Sequence, residues 1–337
     1  SLATFVWTGD SKAGTFPDER FIIGTDATPP GYDQLFPSVA FNPDLGEYLV
    51  VWHNERQVYP DIQAQRVGID GSLVGGPFYI AGGPNVQRRF PDVAYNPAQE
   101  EYLVVWEALP DGSPSNIHAQ RVGAMGGLIG GPIAVGGAPP TTSRSKPAIA
   151  YASTSDLYMV VWERLLDGAS SRDIEARVLS GTGATAGTSF LVATGGATLN
   201  HFDPDIAYNR SRNEYLIVWT REDLNVSILD VWGRIVTRDG YLLGSDFYIG
   251  YHTADDLEPS VVGIPVAPGF GGYYVIWTMA HSLTDPDIYG KEVGWDGLTG
   301  PYDLISTGME VDFSPHIAYD ETEDLFFVAW SRLTNQT

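Results

Sequence analysis

The chain of 337 residues contains no cysteine. That excludes disulfides, thiolate zinc sites, iron–sulfur clusters and cysteine-held haem. Basic residues are scarce, with 19 Lys and Arg against 42 Asp and Glu, a formal charge of −23. Nucleic-acid backbones and anionic membrane surfaces are bound through positive charge, so neither is expected as a partner. An acidic exterior favours solubility and draws cations. No apolar run reaches the length of a membrane span, and no membrane insertion is expected. Helix-period segments are missing, as are a Gly-x-Ser-x-Gly nucleophile elbow and the Gly-rich strand-to-helix turn of a nucleotide site. Nothing in the residues calls for a cofactor. The chain opens on Ser1 rather than Met and reads as a processed or trimmed product.

What is present is turn residues, 38 Gly and 23 Pro, and one stretch that recurs six times. Its clearest copy is PDVAYNPAQEEYLVVW, from Pro91 to Trp106; the others begin at Pro37, Pro147, Pro204, Pro259 and Pro315 and end at Trp52, Trp162, Trp219, Trp277 and Trp330. The first half alternates, with Val93 and Tyr95 on one face and Asp92 and Ala94 on the other, the two-residue period of a strand. Asn96-Pro97 then breaks the run, because proline cannot donate to a ladder and asparagine favours turns. The second half, Glu101 to Trp106, is rich in β-branched and aromatic residues and reads as a strand buried on both faces. A repeat of this length holding only strand signals predicts an array of small β-sheets.

Each unit is completed by two more strands. The third opens on Asp61, Asn116, Asp173, Asp230 or Asp287, and the fourth resembles Phe78-Tyr79-Ile80. Asp70-Gly71, Asp239-Gly240 and Asp296-Gly297 between them predict hairpins with type I′ turns. The sixth copy stops after its second strand, while residues 1–36 align with the second half of a unit. The expectation is therefore an all-β, six-bladed β-propeller with four antiparallel strands per blade. It forms a single domain over 1–337, with blades starting near 37, 91, 147, 204, 259 and 315. Residues 1–36 complete the sixth blade, so that N- and C-terminal segments close the ring, and Phe5 pairs with the strand ending at Trp330.

On Pro-x-Val-Ala-Tyr-Asn, Glu-Tyr-Leu-Val-Val-Trp and the Asp-Ile-x-Ala strand, the whole chain resembles the repeats of six-bladed β-propellers in exported bacterial proteins. The resemblance implies a scaffold and a secreted or cell-surface location, extracellular or periplasmic, and carries over no catalytic residue. The Asp-boxes of sialidases and the Trp-Asp strand ends of WD40 repeats are absent.

Two sets of candidate residues stand out. The residue after each repeat proline is small in blades one, three and five, but is Asp92, Asp205 and His316 in the alternate blades. Two carboxylates and an imidazole around a channel mouth make a candidate site for a divalent cation. Glu55, Glu107, Glu163, Glu222 and Glu258 lie in the loops that break the repeat and are candidates for acid–base work on a glycan, which needs two carboxylates across a cleft. With no catalytic constellation fixed by spacing, the leading expectation is a non-catalytic extracellular module that recognises a glycan or protein surface through its loop face. The alternative is a glycan-processing enzyme, a hydrolase or lyase, with an axial site of acidic residues.

Overall fold

The computed structural model describes residues 2–7, 33–55, 59–137, 141–166, 168–169, 171–250, 254–267, 270–280, 286–306, 311–320 and 324–333. Among them there is no helix. The strands form five four-stranded antiparallel sheets in chain order and one three-stranded sheet. The second sheet is typical: Val86–Asn96, Glu101–Pro110, Asn116–Gly123 and Leu128–Ala134, each paired with the next in sequence. This is the propeller-like repetition of blades that the sequence period predicts.

The sixth sheet joins the chain ends. Leu2–Trp7 pairs antiparallel with Leu325–Leu333, placing Thr4 opposite Trp330 and Phe5 opposite Ala329. Leu325–Leu333 pairs in turn with Val311–Asp320. The expectation of six complete blades is corrected to five, because this sheet carries three strands among the described residues. The other strand expected within residues 1–36 lies outside them.

The chain divides into two compact units: Phe16–Gly168 with Ala176–Phe190, and Ser1–Thr15 with Ala169–Glu175 and Leu191–Thr337. Within each, the cores lie between successive sheets, and the second strand of a sheet serves both neighbours. Tyr102, Val104 and Trp106 pack with Leu49, Val51, Ile62 and Ala64 of the first sheet. The intervening Leu103 and Val105 pack with Ile149, Tyr158, Val160 and Trp162 of the third. Trp277 packs with Leu216 and Val218 in the same way. All six repeat tryptophans are at most 3% exposed. A fully buried Trp removes most of its large apolar surface from water, so these residues hold sheet to sheet.

The turns are built differently from expectation. Gly71, Gly240 and Gly297 have φ between +80 and +87°, but the preceding aspartates do not share the left-handed conformation that a type I′ turn demands of both central residues. Gly71 N–H bonds to Gly68 O, Gly68 N–H to Ser72 O, and the Asp70 carboxylate accepts from Ser72 N–H and Oγ. This is a type I turn followed by a left-handed glycine bulge, and the aspartate side chain favours it by capping the turn. Between first and second strands, Asn96 Oδ1 accepts from Ala98 and Gln99 N–H, the same local turn made by Asn42 and Asn209.

Candidate active site

Each first strand is broken at the residue before its proline. Phe36, Phe90, Lys146, Asp203, Glu258 and Ser314 all adopt φ between +47 and +52°. The pairing register shifts at each, for example between Arg89 and Asp92 and between Ser145 and Ala148. Proline cannot donate to the ladder, and the residue before it is pushed out as a bulge. A left-handed non-glycine residue costs on the order of 1–3 kcal/mol, so six of them at one structural position mark a place where strain is held by the surroundings.

In three of the blades the bulge turns its backbone N–H toward the preceding sheet, where the residue after the repeat tryptophan receives it. Phe90 N–H donates to His53 Nδ1 at 3.3 Å, Lys146 N–H to the Glu107 carboxylate, and Glu258 N–H to Thr220 Oγ1 at 3.2 Å. The fold thus fixes two positions per blade, one before the proline and one after the tryptophan, and leaves their chemistry free.

In the unit containing the first three sheets, these positions gather ionisable and aromatic groups. Glu107 is partly exposed, and its carboxyl is pushed up to about 7, chiefly by burial and further by the nearby Glu163; the Lys146 N–H and the charges of Arg89 and Lys146 oppose the shift. Its Oε2 is enclosed and has no hydrogen-bond partner among the described residues. Glu163, buried, receives Lys146 Nζ at 3.4 Å and Ser145 Oγ at 3.2 Å. Arg89 lies directly opposite Glu107 in the ladder and reaches Glu55 at 3.2 Å. Glu55 Oε1 is 3.5 Å from His53 Nε2. Burial lowers His53 to about 4 and outweighs Glu55, so the ring is neutral near pH 7. Because its Nδ1 accepts from Phe90, its proton sits on Nε2. Phe36, 54% exposed, stacks on His53 at 5.4 Å and meets Phe90 edge-on at 4.6 Å. The result is an apolar ring surface beside one protonatable and two paired carboxylates.

The other unit uses the same positions differently. Glu258 Oε2 accepts from Ser314 N–H at 2.7 Å and Oγ at 3.0 Å, so this carboxylate braces the next bulge. Glu222 accepts from Asn200 Nδ2 at 3.0 Å. Asp256 is also raised to about 7, mainly by burial, but it is fully enclosed and receives Trp277 Nε1 at 2.9 Å. No substrate reaches it without parting the sheets.

Asp92 and Asp205 have specific backbone duties. Asp92 takes Ser38 Oγ at 2.5 Å and Ile149 N–H at 2.8 Å, so it ties its sheet to both neighbours. Asp205 takes Val261 N–H at 2.8 Å in the same manner. His316 is exposed on the first strand of the sixth sheet. Among the described residues, no three His, Asp or Glu side chains converge to hold a metal ion. Asp61 and Asn116, which open third strands, reach the chain just after the fourth strand, at Gly83 N–H and Gly137 O.

No family model and no curated protein matches the chain. Solved structures do. An α-L-arabinofuranosidase of Fusarium graminearum in complex with arabinobiose shares 14% identity, a TM-score of 0.61, and coverage of 90% of this chain and 95% of that one. An α-L-arabinanase of Penicillium chrysogenum, also with arabinobiose, shares 13% identity and a TM-score of 0.61, over 88% and 93%. A Hadza microbial sialidase shares 12% identity and a TM-score of 0.57, over 90% and 66%. At such identities the likeness establishes the fold. All three are named as glycan-cleaving enzymes, which overturns the expectation of a non-catalytic binding module and the leaning against an enzyme. Of the five glutamates singled out by sequence, the structure brings Glu55, Glu107 and Glu163 into one neighbourhood and assigns Glu222 and Glu258 to bracing. It also adds Phe36 and Lys146, each placed directly before a repeat proline, and Arg89, two residues before Pro91.

Proposed function

We propose that the chain is a glycoside hydrolase with Glu107 as its general acid. The observation that carries this reading is a partly exposed carboxyl raised to about 7, beside carboxylates held by Arg89 and Lys146. Cleaving a glycosidic bond requires a proton for the departing oxygen and a negative group facing the developing positive charge on the sugar. Glu107 supplies the proton. Glu55, partly exposed and paired with Arg89, is the accessible second carboxylate. Glu163 lies buried beside Glu107 and acts as a positioning residue, its charge keeping the Glu107 proton in place. The Phe36 and Phe90 rings offer a surface for the apolar face of a sugar.

Polymeric glycans lie outside the cell, so the reading carries a secreted or cell-surface location with it. Linkages of α-L-arabinofuranose are the first to test, since two neighbours hold arabinobiose. Reducing-sugar release from arabinan, xylan and sialylated glycans should appear with the wild type on at least one polymer. It should fall about 10²–10⁴-fold in Glu107→Gln. Equal rates for the two proteins would remove Glu107 from the chemistry.

A further inference from the structure

A pocket of about 430 Å³ opens in the second unit, at the strand ends away from Thr220 and Glu258. Arg212 and Glu214 reach it from the turn before Glu214–Asp223, Asp246 and Phe247 from the fourth strand of that sheet, and Trp295 and Asp296 from the turn after Pro286–Gly294. Its size falls in the range of about 300–1,000 Å³ usual for small-ligand sites. It uses none of the groups assigned to hydrolysis.

Trp295 breaks the repeat. The matching turn position holds Ile69 in the first sheet and Arg238 in the fourth, so the fold does not require an indole there. The ring is 49% exposed yet held in place: the Arg212 guanidinium lies 4.3 Å from its centroid and is itself 3.8 Å from Glu214. An exposed aromatic fixed in advance loses little freedom when it binds. The floor repeats a contact made elsewhere in the fold, where Gly126 closes onto Phe78. Gly297 has φ +80°, and a Cβ there would come within 3.0 Å of the Phe247 ring, so only glycine lets this turn close onto Phe247. Charge decides the ligand class. Three carboxylates, Glu214, Asp246 and Asp296, face a single guanidinium, on a chain of charge −23. Phosphates, nucleotides and acidic sugars are repelled. A neutral sugar fits, laying its C–H face on the indole and donating hydroxyls to carboxylate oxygens.

We infer that this pocket is a second saccharide site, binding a neutral sugar unit of a glycan chain on Trp295. It takes no part in bond cleavage.

The Trp295 indole N–H resonance, assigned by its loss in Trp295→Phe, tests this during titration with arabinotetraose, xylotetraose, cellotetraose and tetragalacturonate. The expected result is a saturable shift with at least one neutral tetrasaccharide and none with tetragalacturonate. Calorimetry of the same sugar should show affinity for this site reduced about tenfold or more in Trp295→Ala, and less in Trp295→Phe. Hydrolysis of a small soluble glycoside should be unchanged in Trp295→Ala. An unmoved Trp295 signal with every neutral sugar, an equal response to the anionic one, or a Trp295→Ala titration matching the wild type would overturn the inference. Loss of the hydrolase reading alone would show as absent turnover with Trp295 binding intact.

Discussion

Glu107 is where burial and charge compete most openly, and its titration has a sign that can be measured. Its folded value, about 7, lies above the 4.5 of an ordinary glutamate. The folded state therefore holds a proton between those values that the unfolded chain releases. The associated stability is fully present below about pH 4.5 and is lost as the pH rises through about 7. Glu107→Gln, neutral at every pH, should escape that loss. It should melt higher than the wild type at pH 8, by an amount equivalent to about 1–3 kcal/mol, and nearly level with it at pH 5. Scanning calorimetry at the two pH values checks this; identical differences at both would mean Glu107 ionises freely. His53 runs the other way. Lowered to about 4, it contributes stability present above about 6.5 and lost as the pH falls through 4.

At the scale of the element, the bulge before each proline is the feature that converts a repeated strand into a site. Lys146 holds φ +47°, which a glycine adopts without the steric cost borne by a side chain. Lys146→Gly and Lys146→Ala both lose the ion pair to Glu163, so their difference isolates the backbone. Glycine should be the more stable variant by about 1 kcal/mol, the reverse of the usual order within a strand. Chemical denaturation of the two variants measures it, and an alanine variant at least as stable would mean the bulge carries no strain.

The same element shows what a sequence can and cannot reveal. Proline and tryptophan recur because each has one structural duty, so the hairpin and its two buried faces were legible from Pro91 and Trp106 outward. The bulge was not, since Phe, Lys, Asp, Glu and Ser all occupy it and none signals a left-handed backbone. Glu107 was visible only as one glutamate among several; its burial and its neighbours depend on two adjacent sheets. The Asp-Gly turns were legible as turns, but the side chain of Asp70 chose a different turn type. Asp92 and Asp205 stood out as candidate ligands by their alternation; the backbone N–H groups of Ile149 and Val261 that they accept leave no trace in the sequence.

At the scale of the molecule, stability depends on how the ends are treated. Leu2–Trp7 covers one edge of Leu325–Leu333, whose other edge is paired with Val311–Asp320. Removing residues 1–7 exposes a row of unpaired N–H and C=O groups beside a strand carrying Trp330. The shortened chain should aggregate or melt well below the full-length protein, in light scattering and calorimetry. A monomer with an unchanged melting temperature would show that the pairing contributes nothing to stability.

The central claim is that Glu107 donates the proton to the departing sugar oxygen, and the leaving group tests it directly. An aryl glycoside with an acidic phenol departs with little protonic help, whereas an alkyl glycoside or oligosaccharide needs the full proton. We predict that Glu107→Gln loses about 10²–10⁴-fold in kcat/KM on the oligosaccharide but far less on the activated aryl glycoside of the same sugar. The wild-type rate on the oligosaccharide should also fall as the pH rises through about 7. An equal loss on both substrates, or no loss on either, would contradict the assignment.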